Sequence, residues 1–341
     1  MSMRKPKLAL IPGDPSGIGP ELVAKLLSNP ESAEKADILV IGDSHVFELG
    51  EEQSGAAFAK VACDPTSDWT RAGPYAWYET DTIDRDDIAV ARVRRASGAC
   101  ALNCLSTALD FLKDGIVEGL LFAPFNKEAL HLAGLGHNDE LHFIADYLGV
   151  ENYISEVNAM DGIWTSRATS HIALRDVADT VSEDRICEAV LLIHDLLRRS
   201  GIKRPRISVA ALNPHAGDGG NFGREEIEVI RPAVEKMAAR QLAVDGPWPS
   251  DTVFLKAKAG EIDAVVTMYH DQGQIALKLM GFDRGVSVLG GLPVPVATPA
   301  HGTAFDIAGK GVADVKAMCA AFGTVCEMAG NWRKADGVTT R

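Results

Sequence analysis

Short apolar runs closed by Gly, Pro or Asp alternate with longer amphipathic stretches along most of this chain. KLALIP precedes IGPELVAKLLS, DILVIGD precedes HVFELG, and EGLLFAP precedes NKEALHLAG; later RISVAAL precedes REEIEVIRPAVEKMAAR and DAVVTMY precedes QIALKLMG. Continuous apolar runs suit strands covered on both faces, and the longer stretches carry helical spacing. A mainly parallel sheet with helices on its faces requires such alternation, so the fold class is α/β. With 341 residues the chain can build two domains and bury a substantial core. Residues 50–94 follow neither period and hold Pro65, Trp69, Pro74 and Trp77, so irregular structure or an antiparallel excursion is expected there.

The balance of 34 Lys plus Arg against 47 Asp plus Glu gives a net charge of -13, spread along the chain, which argues against nucleic acid or an anionic membrane as partner. Cysteines at 63, 100, 104, 187, 319 and 326 form no CxxC pair, and reduced thiols in a cytoplasm are the simplest reading. Cys100 and Cys104 lie one helical turn apart among small apolar residues and are expected to pack. The stretch MSMRKPKLALIPG reads as a first strand and not as a signal peptide, and no window approaches a membrane span.

In open parallel sheets ligands collect where strands end and helices begin. Three polar clusters hold that position: GDPSGIG, NPHAGDGGNFG and YHDQG. GDPSGIG lacks the Lys-Ser/Thr ending of a nucleotide-hydrolysing loop and reads as a turn, with Pro20 in the first helical turn and Asp14 or Ser16 capping. NPHAGDGGNFG is not a dinucleotide fingerprint, since Phe222 stands where glycine is needed; a plain flexible loop and an anion-holding loop remain equally open. His171, His215 and His270 fall at comparable places in three distant segments. Each could be a hydrogen-bonded structural histidine, or together they could form an open three-imidazole site for a divalent ion. His45, His131 and His194 fall in helical segments, and His137 with His142 are five apart.

LALIPGDPSGIGPELV, GHNDELHFIADYLG, TSHIALRDV, LNPHAGDGGNFGREE, MYHDQGQIALKLMGFDRGVSV and PAHGTAFDIAGKG follow one another in an order that resembles the 4-hydroxythreonine-4-phosphate dehydrogenase family, from about residue 7 to 327. PAHGTAFDIAGKGVAD is also similar to the nucleotide loop of isopropylmalate and isocitrate dehydrogenases. The resemblance implies a two-domain α/β subunit of that wider fold. We expect residues 1–130 with 285–341 on the nucleotide side, and 131–284 carrying metal ligands and dimer contacts. It further implies a homodimer with its active site at the subunit interface, and NAD or NADP bound without a Rossmann fingerprint.

By the same resemblance one divalent ion (Zn, Mg, Co or Mn) would be held by His171, His215 and His270. Substrate contacts would come from His137, Asn138, Asp251, Lys278 and Ser287, and Asp271 with Lys278 would serve proton transfer and carboxylate orientation. His301, Gly302, Thr303 and Asp306 would bind the nucleotide, and a carboxylate at 306 favours NAD over NADP. The implied reaction oxidises an alcohol β to a carboxylate, after which the β-keto acid loses carbon dioxide.

This chain departs from the family at three places. Asn138 and Asp139 replace the Thr and Glu of GHTE, Ser287 replaces Asn, and Val296 replaces Arg, which removes a planar fork of donors suited to phosphate. A 4-phosphorylated threonate or erythronate, or the cis-dihydrodiol of terephthalate, is therefore an alternative to the phosphorylated hydroxythreonine of the family's name. A non-catalytic metabolite-binding protein is the reading from another class; it would be expected to have lost a histidine or the nucleotide loop.

Overall fold

The structure, a computed structural model, describes residues 4–71 and 73–335. In chain order the strands are β1 (Lys7–Ile11), β2 (Asp37–Ile41), β3 (Val61–Ala62), β4 (Ala76–Tyr78), β5 (Gly119–Phe122), β6 (Ser155–Met160), β7 (Ile163–Arg167), β8 (Arg206–Ala210), β9 (Ala243–Trp248), β10 (Ala264–Thr267), β11 (Val286–Gly290) and β12 (Val296–Pro299). The chain divides into two compact units, one of residues up to Glu151 with those from Leu292 onward, the other Asn152–Gly291. Relative to the sequence expectation, the GHNDE segment and the helix after it fall in the first unit.

In the first unit the strand order is β3-β4-β2-β1-β5-β12, and every pairing is parallel. Leu8, Ala9, Leu10 and Ile11 are buried, as are Leu39, Val40 and Ile41, because helices cover both faces. The helix Gly19–Leu27 opens with Pro20 at its first turn, where a missing N–H costs nothing. Cys100 and Cys104 are buried free thiols in the helix Arg95–Lys113, as packing spacing suggested. Among the described residues of 50–94 there is no antiparallel excursion: β4 pairs with β2 and β3 with β4 in parallel. Strands of two or three residues are too short to show a period, which is why they were invisible in sequence.

The second unit is mixed, with order β11-β6-β7-β10-β8-β9. The pairs β11–β6 and β6–β7 are antiparallel, while β7, β10, β8 and β9 pair in parallel. The helix Glu183–Arg199 begins at Ser182, whose hydroxyl accepts from the Arg185 amide, and buries Ile186, Val190, Ile193 and Leu197 on one face. The helix His270–Gly281 starts on His270 itself, so YHDQG is a first turn and not a loop. It packs on β7 and β10, with Gly273 facing Thr267 and Thr165. Among the described residues no helix is long and apolar enough to cross a membrane.

Candidate active site

Parallel pairing brings two of the three histidines together. Arg167 of β7 stands opposite Thr267 of β10, and beyond the strands the Thr169 amide still donates to the Met268 carbonyl at 3.1 Å. His171 and His270 follow at once, and their ring centres lie 5.4 Å apart. Two imidazoles on one tetrahedral ion have ring centres roughly 5 Å apart, given Zn–N bonds of about 2 Å. The pair therefore fits a shared cation. His270 Nδ1 lies 2.7 Å from an Asp271 carboxylate oxygen, an arrangement that fixes the ring and leaves Nε2 as the ligand atom. His171 has φ 50°, left-handed backbone that a side-chain-bearing residue adopts at a cost.

His215 is exposed and stands on a different strand end. Its ring lies 6.3 Å from that of Phe222. His215, Ala216, Gly217, Asp218 and Gly219 all have φ between 44° and 76°, a short left-handed turn. Buried Glu226 holds it: one carboxylate oxygen accepts from the Leu212 and Asn213 amides at 2.9 and 2.7 Å. A Cβ on Gly217 would meet the other Glu226 oxygen at 2.6 Å, so the approach needs glycine. Gln272 ties the two strand ends together, accepting from the Met268 amide at 2.7 Å and donating to the Ala211 carbonyl at 2.8 Å. Among the described residues of a single chain, no group of three or more His, Cys, Asp or Glu stands where it could hold one ion. One chain brings together two of the expected ligands, His171 and His270, and not His215 with them.

The other expected residues are distributed as follows. Lys278 lies two turns beyond His270 on the same helix and is exposed, and Asp251 is exposed in the first turn of the helix Ser250–Lys258. In the first unit His137 is engaged through Nδ1 with the Leu135 carbonyl at 3.1 Å and through Nε2 with Asp146 at 3.3 Å, while Asn138 is exposed. Ser287 is 6% exposed, and its hydroxyl donates to Glu156 on the neighbouring strand at 2.5 Å. Sequence reasoning passed over Glu156, Asn158 and Arg167; the signal was polar residues inside SEVNAM and IWTSR, where a buried strand should be apolar.

In the first unit GDPSGIG and HGTAFDIAG pack together. The Ile18 amide donates to the Thr303 carbonyl at 3.1 Å, and a Cβ on Gly17 would meet that of Thr303 at 2.8 Å. Thr303 is buried; Gly302 and Asp306 are exposed, and His301 Nδ1 lies 3.0 Å from the Gly302 carbonyl. Asp14 Oδ1 accepts from the Ser16 amide at 2.8 Å within the turn, while Oδ2 is buried without a partner; neither Asp14 nor Ser16 caps the helix Gly19–Leu27, whose N-cap is Ile18 with no side-chain bond. Burial pushes this carboxyl up to about 6, against the opposing pull of the Ser16 amide.

Comparison with known proteins places this geometry. The family model for pyridoxal phosphate biosynthetic protein PdxA matches residues 34–325. A Pseudomonas aeruginosa protein provisionally named 4-hydroxythreonine-4-phosphate dehydrogenase 2 is 50% identical over 95% of this chain and 97% of its own length. Among solved structures, 4-hydroxythreonine-4-phosphate dehydrogenase from Klebsiella pneumoniae is 34% identical, with TM-score 0.84 over 97% of this chain and all of that one. A terephthalate 1,2-cis-dihydrodiol dehydrogenase from Burkholderia xenovorans is 27% identical, with TM-score 0.66 over 95% and 98% of the two chains. The fold and these likenesses define a dehydrogenase that acts on a hydroxyl group. The chain belongs to the PdxA family, and a nicotinamide cofactor and a divalent metal ion come with that membership.

Proposed function

We propose that this protein is an NAD-dependent, metal-assisted enzyme that oxidises the alcohol of a β-hydroxy acid and releases carbon dioxide from the resulting β-keto acid, with 4-hydroxythreonine 4-phosphate, the substrate named for its relatives, as the first reading. The observation that carries it is the His171–His270 pair, 5.4 Å between ring centres, with His270 oriented by Asp271. His171 and His270 of one chain and His215 of a second copy would hold the ion, which supplies Lewis-acid polarisation of the substrate oxygen. Among the expected ions, three imidazole ligands suit Zn best, whereas Mg prefers oxygen donors. Asp271 keeps the His270 ring in one tautomer, a positioning role that takes precedence here over proton transfer. Lys278 is the residue to give a proton to the carbon left after decarboxylation, and Asp251 and Asn138 would contact substrate. His301, Gly302 and Thr303 would cradle the nucleotide, and the exposed Asp306 would bond ribose hydroxyls and repel a ribose phosphate.

The test is turnover of β-hydroxy acids with NAD, divalent ion and chelator controls, following reduced nicotinamide. Efficiency with NAD is expected to exceed that with NADP by about tenfold, as a charge repulsion of about 1.4 kcal/mol would give; equal efficiency would remove the role of Asp306. A second reading, an unphosphorylated or ring-bearing β-hydroxy acid, is favoured by the buried apolar Val296 and by Ser287 being turned to Glu156. Free thiols at all six cysteines suit a cytoplasmic enzyme.

An apolar surface in the second unit would suit the proposed dimer. A groove of about 540 Å³ is lined by Met160, Phe254, Leu255, Ala276, Leu279 and Met280. Leu255, Ile275 and Leu279 are 63, 61 and 83% exposed, an apolar patch unusual for a face left in water. Ile275 and Leu279 lie on the helix that carries His270 and Leu255 on the helix Ser250–Lys258, and the occupant assigned to the patch is a second copy of the chain. Leu279→Glu is expected to yield monomers in sedimentation experiments and to lose turnover; a dimeric, active variant would place the interface elsewhere.

A further inference from the structure

Under the helix His270–Gly281 the sheet of the second unit carries a polar patch instead of an apolar one. Asn158 Oδ1 accepts from Gln274 Nε2 at 2.5 Å and from Arg167 Nη1 at 3.2 Å, while its Nδ2 donates to Glu156 at 3.1 Å and to Ser287 at 3.2 Å. Gln274 is one turn beyond His270, so the patch lies directly beneath the helix of the proposed site. Arg167 is only 5% exposed, its Nε has no partner, and its closest approach to the Glu156 carboxylate is a long 3.5 Å. Glu156, by contrast, is 33% exposed. The pair is therefore a dipole with its guanidinium inward and its carboxylate toward solvent.

We propose that the Glu156–Arg167 pair, with Asn158 and Ser287, is a charge-selective specificity element of the substrate site, favouring substrates whose distal group is an uncharged hydroxyl or an ammonium and disfavouring a phosphate ester. This rests on the reading that substrate lies against the helix carrying His270, and it takes the second, unphosphorylated reading of the substrate over the phosphorylated first one. An incoming group meets the carboxylate first. A hydroxyl or ammonium donates to it, whereas a phosphate dianion is repelled and cannot reach the buried guanidinium. Arg167 and Asn158 hold the carboxylate in place, and Asn158 bonds both members.

The experiment compares kcat and KM for a four-carbon trihydroxy acid and its 4-phosphate in the wild type and in Glu156→Gln, Glu156→Asp and the double variant Glu156→Gln with Arg167→Met. The efficiency ratio of phosphate ester to free alcohol is expected to rise at least about tenfold in Glu156→Gln, through KM, and to stay near the wild-type value in Glu156→Asp. The double variant, which leaves no buried unpaired guanidinium, is expected to lie between them and serves if the single variant does not fold. Inorganic phosphate is expected to raise the melting temperature of Glu156→Gln and not that of the wild type. An unchanged ratio in folded neutral variants, or equal phosphate protection of all forms, overturns the proposal. If the wild type oxidises neither acid, the proposed function is left to the wider β-hydroxy acid screen, and the phosphate melting comparison decides the charge preference.

Discussion

Alanine at His270 or His215 is expected to cut metal-dependent turnover by on the order of a thousandfold or more, the loss of several kcal/mol of charge stabilisation in the transition state. Both rings are at least partly exposed, so circular dichroism and melting temperature should change little. Metal retained after dialysis should fall in each variant. Because one chain supplies His171 and His270 together but not His215, mixing the two inactive variants offers a sharper result. Dimers formed from one His215→Ala chain and one His270→Ala chain would each hold one complete set of three imidazoles, and up to half of the wild-type activity should return. No recovery on mixing, in dimers shown to exchange, would mean that the ligands do not come from two copies. Undiminished activity of either variant after chelation would remove the ligand assignment altogether.

The second large effect concerns stability. Asp14 is 1% exposed with an orphaned oxygen, and its pKa is raised to about 6 by burial. A raised carboxyl pKa means that the folded chain binds a proton more tightly than the unfolded chain. Folding stability from this group is therefore greatest below the unfolded carboxylate pKa of about 4 and is lost as pH climbs through about 6, with roughly 2–3 kcal/mol at stake. Asp14→Asn keeps an oxygen for the Ser16 amide and removes the charge. Its stability by urea titration is expected to match the wild type at pH 4 and to exceed it by about 2 kcal/mol at pH 7.5. A constant difference across that range would show that Asp14 does not titrate in the fold.

The parallel core was legible because strands covered on both faces must be apolar throughout: LALI, ILVI, GLLF and AVVT leave little else to be. The hairpin β6–β7 was not, since Glu156, Asn158 and Arg167 satisfy one another and break the apolar run. β9 also escaped notice, an edge strand whose AVDGPW holds Gly and Pro that a central strand would reject. The neighbouring places of His171 and His270 depend on the register Arg167 to Thr267, which no spacing along the chain reveals. The GHNDE histidine, His137, was singled out by motif order alone, and its bonds to the Leu135 carbonyl and Asp146 within its own unit could not be read from spacing.

The turn that presents His215 is, for five residues, a piece of the mirror-image helix. L-amino acids resist that hand by about 1–2 kcal/mol each, and three of the five residues carry side chains. The cost is met by Glu226, which receives the two amides entering the turn. Side-chain direction follows backbone hand, so an imidazole on an ordinary right-handed turn would leave the strand end along another vector. The chirality of a few peptide units thus decides which way this face of the molecule can offer a ligand.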